Sequence, residues 1–202
     1  MKKFLFISIL AIIMAVPSVS LADTFSNSRI DGGQVHAYFN GSVSNYGYTN
    51  IYQQSLESWN GISSVVSVTR THSSSAHPYY DRYNVSGARP SGSGGGLLLG
   101  TINAFNISGN QTTHHSPWGH ATVTLYHNNI INVLNTSYFQ RNVAIHEIGH
   151  TLKMAHPESQ SGFNYMPLNG QTSIMTQTGD RPSQATAPHN YDRSELRRKW
   201  GN

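Results

Sequence analysis

Residues 146–156 read HEIGHTLKMAH, and the spacing of their polar side chains is the most informative feature of the chain. His146 and His150 lie four positions apart, so on a helix they stand about 40° apart around the axis and one turn apart along it. Both imidazoles can therefore bind one ion. Glu147 projects about 100° away from His146, beside such an ion, where a carboxylate can accept a proton without serving as a ligand.

The third histidine of this stretch, His156, lies six residues beyond His150. On an uninterrupted helix it would sit about 9 Å further along the axis, too far for a metal–nitrogen bond of about 2.0–2.1 Å. The helix must therefore end between these two residues. Three neutral imidazoles that leave one position for water are the donor set of catalytic zinc. We predict a zinc site formed by His146, His150 and His156, with Glu147 as general base.

This stretch resembles the signature of the metzincin clan of zinc peptidases, H-E-x-x-H-x-x-G-x-x-H followed by a methionine turn. Ser173-Ile174-Met175 is similar to that turn. The resemblance implies that Met175 lies beneath the metal without binding it. Over Ile130–Met175 the chain is most similar to the matrixin and serralysin branches, and Pro157 is a serralysin-like residue.

The matrixin branch is also similar at the end of the chain, where Asp192, Leu196 and Trp200-Gly201 have the spacing of its closing helix. The resemblance therefore implies a compact matrixin-like or serralysin-like zincin domain. Such a domain has a twisted, mostly parallel sheet with an antiparallel edge strand, an active-site helix and a C-terminal helix. The calcium-binding repeats of serralysins are absent from the sequence.

Two residues depart from the family pattern. Lys153 stands where the family has glycine, at a turn expected to need positive φ, which costs a non-glycine residue about 1 to 2 kcal/mol. If that turn forms, Lys153→Gly is expected to be slightly stabilising; if residue 153 is helical, the change is expected to be destabilising. Gln177 stands where serralysins and astacins carry a tyrosine beside the metal.

The resemblance also implies where substrate binds. It places the edge strand of the cleft at Ala121–Tyr126, with backbone groups that would pair with an extended peptide. The residues of this predicted strand are Ala121, Thr122, Val123, Thr124, Leu125 and Tyr126. The specificity pocket would then be formed by residues 176–189.

The hydrophobic pattern predicts one α+β (mixed α/β) domain. Strands are predicted at 34–39, 63–69, 97–104, 121–126 and 130–134, the last three forming a sheet with hairpin character. Helices are predicted at 51–59, 138–152 and 191–200. Residues 71–96, rich in Ser, Gly, Pro and Tyr, are predicted to be a long surface loop.

The first 22 residues have the pattern of a secretory signal peptide: Lys2 and Lys3, an apolar run, and Ser20 and Ala22 at the cleavage spacing. We therefore expect a secreted protein with one catalytic domain at residues 23–202. No cysteine is present, so neither a disulfide nor a cysteine-based latency switch is available. Only about ten residues separate the predicted signal from the first predicted strand, so we do not expect a folded prodomain between them.

Charge and hydropathy limit the partners. Of 13 basic residues, 11 remain after Lys2 and Lys3 are removed, against 9 acidic residues. This balance does not indicate nucleic acid, and no other segment is apolar enough to span a membrane. The basic run Arg197-Arg198-Lys199 suits the last turn of a helix. The expected partner is a polypeptide substrate, and we expect a monomer without stable membrane association.

Further polar side chains offer a second metal site, as zinc or calcium. Its candidate ligands are His72, His77, Asp81, His114, His115 and His120. Their spacing does not match the matrixin loop, so solvated loop histidines are the favoured interpretation. His189 is predicted to be a surface residue. Asp23 or Asp31 could cap the zinc from a short leader, but ordinary surface carboxylates are the favoured interpretation.

The predicted activity is that of a secreted zinc endopeptidase, in which zinc activates water and Glu147 accepts its proton before passing it to the leaving amine. Two alternatives remain open at this point. One is a secreted zinc amidase that acts on cell-wall peptides. The other is a non-catalytic binding protein with the same fold, against which the intact Glu147 argues.

Overall fold

The structure, a computed structural model, describes residues 24–73, 79–87, 98–157, 172–176 and 185–202. These residues form six strands and five helices. In chain order they are β1 (Gln34–Phe39), α1 (Gly41–Asn45), α2 (Thr49–Glu57), β2 (Ser67–Thr71), β3 (Asp81–Ser86), β4 (Gly100–Phe105), β5 (Gln111–Thr112), β6 (His120–Tyr126), α3 (His127–Val133), α4 (Ser137–Thr151) and α5 (Asn190–Trp200).

The strands form one sheet in the order β2-β1-β3-β6-β4-β5. β1 pairs in parallel with β2 and β3, and β3 pairs in parallel with β6. β4 runs antiparallel to both β6 and β5. The predicted mixed α/β class with a mostly parallel sheet is therefore confirmed, as are the bounds of the first strand.

One face of the sheet is covered by helices. Alternate strand residues such as Val35, Ala37 and Val123 point into one core cluster, as the two-residue period of a strand requires. Helix residues from α1 to α5 join that cluster, among them Ile145 and Leu196. Burying an aliphatic side chain of this size stabilises a fold by about 1.5 to 3 kcal/mol, so the helices are held mainly by this shared core.

The three predicted helices are present within a few residues of their expected ends. Gly61, with φ of 73°, lies just beyond the turn that follows α2, as expected of a residue that ends a helix. Thr136 caps α4, because its side chain accepts a hydrogen bond from the backbone N–H of Phe139. In α5 the basic residues do occupy the last turn. No helix among the described residues has the length and apolar character needed to cross a lipid bilayer.

Two predictions of secondary structure were wrong. Residues 81–86, predicted as part of a surface loop, form the interior strand β3 between β1 and β6. Residues 130–134, predicted as a strand, fall largely in helix α3. There the N–H of Asn128 donates to the carbonyl of Gly87 and the amide of Asn129 donates to the carbonyl of Leu98, so tertiary contacts anchor the start of the helix.

The predicted edge strand at 121–126 was also misplaced. β6 pairs with β3 on one side and with β4 on the other, so its backbone hydrogen bonds are used within the sheet. The strand next to it, β4, pairs with the two-residue strand β5 only at Ala104 and Phe105. The edge of β4 that faces away from β6 therefore has no strand partner at Gly100–Asn103 among the described residues.

Candidate metal centre

Helix α4 supplies two of the three predicted ligands and the predicted base. All residues from Asn142 to Thr151 are buried, including His146, Glu147 and His150. Fully buried polar residues need internal partners, because each unsatisfied polar group costs about 1 to 3 kcal/mol. These side chains therefore belong to an organised site within the interior of the domain.

The chain leaves the helix at Lys153, as the spacing of the histidines required. Lys153 has φ of 68°, so the expected positive-φ turn is confirmed at a non-glycine residue. The backbone N–H of Lys153 donates to the carbonyl of His150, and that of Met154 donates to the carbonyl of Gly149. This turn ends the helix and brings His156 back towards the two helical histidines.

The three histidines meet at their Nε2 atoms. The Nε2 of His156 lies 3.1 Å from that of His146 and 3.0 Å from that of His150, and the remaining pair is 3.1 Å apart. They are also the one group of three potential ligands that converges within the described residues. Nitrogens bound about 2.0–2.1 Å from one tetrahedral ion lie about 3.3 Å apart, so the spacing fits a shared ion.

Hydrogen bonds on the far side of two rings fix which nitrogen faces the site. The Nδ1 of His146 lies 2.8 Å from the carbonyl oxygen of Ile174, and the Nδ1 of His150 lies 2.8 Å from that of Met154. A carbonyl can only accept, so each Nδ1 carries the proton. Each Nε2 then presents a lone pair, which is the form of imidazole that binds a metal.

The predicted methionine turn lies directly under the helix. Met175 is buried, and its sulfur lies so close to Gly149 that a methyl group at this glycine would come within 2.3 Å of it. Trp59 approaches the same point, at 2.8 Å. Gly149 is therefore needed for close packing of the methionine turn against α4.

The buried carboxylate of Asp192 holds the methionine turn in place. It accepts hydrogen bonds from the Ser173 hydroxyl at 2.5 Å and from the N–H groups of Ile174 at 2.9 Å and His189 at 2.8 Å. Burial raises the pKa of Asp192, while these hydrogen bonds oppose that shift. Because the carbonyl of Ile174 also accepts from His146, the contact of α5 with the turn reaches one of the predicted ligands.

Glu147 lies against strand β4. A methyl group at Gly100 would come within 2.6 Å of both Cγ and Oε1 of Glu147. Only a residue without a side chain leaves room for the carboxylate at this point. Sequence patterns gave no indication of this contact, since Gly100 is one of 18 glycines and follows a glycine-rich stretch.

The side chain of Lys153 is fully buried against the segment that precedes β6. Its Nζ donates to the carbonyls of His114 and Ser116 and lies 3.8 Å from the centroid of the Trp118 ring. Burial lowers the pKa of Lys153 to about 7, and the charges of Lys199 and Arg29 act in the same direction. The sequence did not indicate that this lysine has a structural role.

An N-terminal segment also packs against the site. The ring of Phe25 lies 5.9 Å from that of His150, centroid to centroid, and its N–H donates to the carbonyl of Lys153. Lys199 donates to the carbonyls of Phe25 and Asn27. This segment thus contacts both the ligand-bearing helix and the turn that follows it.

The candidates for a second metal do not converge in the described residues. Asp81 forms a buried ion pair with Arg29, with contacts of 3.1 and 3.2 Å, and is not available as a ligand. The histidines of this set have separate surroundings: His114 contacts the Ile102 carbonyl, His115 contacts Ser26, His120 stacks on Phe105 and His72 is exposed. His77 lies outside the described residues.

The other predicted residues can be located only in part. His189, predicted at the surface, is half-buried and caps α5 in a reciprocal arrangement with Asp192. Asp31 lies in the turn that precedes β1. The signal segment, Asp23, Gln177 and most of the predicted specificity pocket at 176–189 lie outside the described residues.

Comparisons with known proteins do not assign the chain to a family. No protein-family model matches the chain, and no curated protein matches it. The fold and the site together define a mixed α/β domain with a three-histidine group that could hold a metal ion.

Proposed function

We propose that this protein is a secreted zinc-dependent endopeptidase with a metzincin-like, compact matrixin-like domain. The observation that carries the proposal is the convergence of His146, His150 and His156 within 3.1 Å at their Nε2 atoms. Protonated Nδ1 atoms on two of the rings prepare those Nε2 atoms for a cation, and three imidazoles are a donor set that zinc favours. A zinc ion held there supplies Lewis acidity, which acidifies water and polarises a carbonyl group.

Glu147 is the residue that moves the proton. It follows ligand His146 directly on the same helix and is buried, so its carboxylate is held beside the metal site. In the proposed reaction Glu147 removes a proton from water as the water oxygen attacks the scissile carbonyl carbon. Glu147 then delivers that proton to the leaving amine as the C–N bond breaks.

A polypeptide substrate suits the strand beside Glu147. The outer side of Gly100–Asn103 in β4 has no strand partner among the described residues, and Gly100 contacts Glu147 directly. An extended peptide that pairs with this edge would run past the base. Main-chain pairing of this kind gives affinity with little preference for sequence, which favours an endopeptidase of broad specificity.

The resemblance of residues 146–156 and of Ser173-Ile174-Met175 to the metzincin pattern supports the same class. The antiparallel strand on one side of a mostly parallel sheet, the metal-site helix and the terminal helix agree with the fold that this resemblance implies. Secretion is proposed from the signal-like residues 1–22.

The decisive experiment is digestion of casein by the purified mature protein, with and without a chelator, together with measurement of bound zinc. We expect about one zinc per chain and protein fragments that disappear with chelator and return with added zinc. A protein that binds zinc, leaves casein intact and releases peptides from cell-wall material is an amidase instead. Bound zinc with neither activity would indicate a binding protein.

A further inference from the structure

The backbone groups of β4 alternate between the two sides of the strand. The carbonyl of Leu99, just before β4, accepts a hydrogen bond from the N–H of Tyr126 in β6. In an antiparallel pair the N–H and C=O of one residue point the same way, so every second residue from Leu99 onwards faces β6. The backbone groups of Gly100, Ile102 and Ala104 therefore point away from β6. We call this side of the strand the outward edge.

The protein itself occupies two of these three positions on the outward edge. Ala104 pairs with Thr112 of β5. At Ile102, the Nε2 of His114 lies 3.3 Å from the carbonyl oxygen, and because a carbonyl can only accept, Nε2 donates the hydrogen bond. Continuing the β4–β5 register by two residues also places His114 opposite Ile102. The imidazole thus takes the position that the backbone of a longer β5 would have.

The position of His114 is fixed by contacts with three other residues. Its backbone carbonyl accepts from the Nζ of Lys153 at 2.9 Å. Its ring lies 4.9 Å from the ring of Phe25 and 5.7 Å from that of Trp118, centroid to centroid. Trp118 is fully buried, so one side of the imidazole packs against the core. His114 is therefore part of the outward edge and not a solvated loop side chain.

The remaining position on the outward edge lies beside the proposed base. Gly100 contacts Glu147 and has no strand partner on this side among the described residues. Ile102 lies two residues further along β4, about 7 Å away at the usual rise of a strand. A peptide can therefore pair with the strand beside Glu147. Two residues further on, it would need the carbonyl that His114 already binds.

The direction of a bound peptide decides which of its ends meets His114. Both strands that pair with β4 run antiparallel to it, and antiparallel pairs are slightly more stable per residue than parallel ones. An antiparallel peptide runs from Ile102 towards Gly100, so its amino-terminal part lies at His114. If the residue before the scissile bond lies opposite Gly100, the third residue before that bond lies opposite Ile102.

We propose that His114 closes the amino-terminal end of the substrate edge and limits main-chain pairing to two residues before the scissile bond. This inference rests on the proposed peptidase function and concerns the specificity of the same site. Because the Nε2–H of His114 occupies the Ile102 carbonyl, a third residue finds no acceptor there. Residues further towards the amino end contribute little to kcat/KM. The enzyme cleaves bonds close to the amino terminus of a peptide as readily as bonds in its middle.

The test compares acetylated and amidated peptides that differ only in length on the amino side of the cleaved bond. Their sequence copies the main site at which the mature, zinc-loaded protein cuts casein, with two or five residues before the bond and four after it. For the wild-type protein we expect kcat/KM values within about twofold of each other. In His114→Ala the carbonyl is released, so the ratio of long to short peptide is expected to rise at least about threefold, the effect of one net hydrogen bond.

Two further variants separate this role from a structural one. Comparison of two peptides within one variant cancels the amount of folded enzyme, so lost stability does not alter the ratio. His114→Gln places an amide nitrogen near the position of Nε2 and is expected to keep the wild-type ratio. The matched control His115→Ala removes the neighbouring exposed imidazole, which contacts Ser26 and not β4, and is also expected to keep it. Lengthening the peptide on the carboxyl side is expected to have the same effect in every variant.

Several outcomes would overturn the proposal. A wild-type gain of about threefold or more from the longer amino side would show that the third residue does bind. An unchanged ratio in His114→Ala, an equal rise in His115→Ala, or a change confined to the carboxyl side would each remove His114 from this role. If the protein cuts no casein, the proposed function itself fails and the inference falls with it. If the short peptide is cleaved in a chelator-sensitive reaction and the ratios differ from those expected, only the role of His114 is wrong.

Discussion

The ammonium group of Lys153 lies 3.8 Å from the centroid of the Trp118 ring and at the same time caps two carbonyls, those of His114 and Ser116. A residue with strained backbone at the end of the metal-site helix is therefore also a tether to the segment before β6. The positive φ of 68° carries a cost, and the contacts of the side chain offset it.

For Lys153→Gly this arrangement changes the expected effect on the free energy of unfolding from a small gain to a loss. Relief of strain contributes about 1 kcal/mol, but the change removes two hydrogen bonds donated by Nζ, at about 0.5 to 1.5 kcal/mol each, and the buried four-carbon stem, at about 0.8 kcal/mol per CH2 group. We expect a net loss of at least about 2 kcal/mol in the free energy of unfolding of the zinc-loaded protein, measured by denaturant titration. The small gain predicted from backbone conformation alone does not take these contacts into account.

Lys153→Ala is the matched control, because both variants lose the ammonium group and only glycine adopts positive φ without strain. The glycine variant is expected to be more stable than the alanine variant by about 1 kcal/mol. A glycine variant as stable as the wild-type protein would show that the buried contacts contribute nothing.

Glu147→Ala separates catalysis from metal binding. The three histidine ligands remain, so zinc content and fold should persist, while peptide hydrolysis is expected to fall at least about a hundredfold without the general base. Zinc content and initial rate should be measured on the same preparation. Retained activity would remove Glu147 from the mechanism, and lost zinc would place it among the ligands.

His156→Ala tests the ligand contributed by the loop. Zinc affinity and melting temperature are both expected to fall, because metal binding is coupled to folding and His156 ties the chain beyond Lys153 to helix α4. Competition with a chromogenic chelator gives the affinity. Wild-type affinity in this variant would mean that the third ligand lies elsewhere, with His120 and His189 as the substitutes to examine.

The local signals in this sequence predicted the elements that bear the site. The spacing of His146, His150 and His156 required a helix that ends before His156, and the structure has that helix and its turn at Lys153. Three residues suffice for this inference because metal ligation imposes strict distances. The strand at 34–39 was equally clear, since its apolar residues alternate.

Tertiary contacts explain what was missed. Strand β3 begins with Asp81, a poor strand former on its own, whose carboxylate is buried because Arg29 pairs with it and the Ala121 N–H donates to it. Neither partner is near in sequence. The short apolar run at 130–134 has no periodicity that distinguishes strand from helix, and its fold is decided by anchors at Gly87 and Leu98.

The incorrect assignment of the sheet edge to residues 121–126 also arises because strand pairing is decided by tertiary contacts. Ala121–Tyr126 alternates as any strand of this sheet does, and the pattern carries no information on which neighbours it pairs with. Pairing of β6 with both β3 and β4 moves the unpaired edge one strand outward, to Gly100–Asn103. That shift is what brings Gly100 into contact with Glu147.

Gly100→Ala tests the contact between β4 and the base. The added methyl group would lie 2.6 Å from Cγ and 2.7 Å from Cδ of Glu147, so the whole carboxylate arm must move and cannot simply rotate its end away. The histidine ligands are untouched, so zinc content is expected to remain at the wild-type level. Because a displaced base loses its alignment with the reacting water, the rate of peptide hydrolysis is expected to fall at least about tenfold.

Gly41→Ala is the matched control for this change. Gly41 lies in the first turn of α1, and a methyl group there meets no atom within 4 Å. The control is expected to keep both rate and zinc content. If Gly100→Ala also keeps the wild-type rate, the carboxylate of Glu147 acts from a position away from β4; if it loses zinc as well as rate, strand β4 supports the ligands and not the base alone.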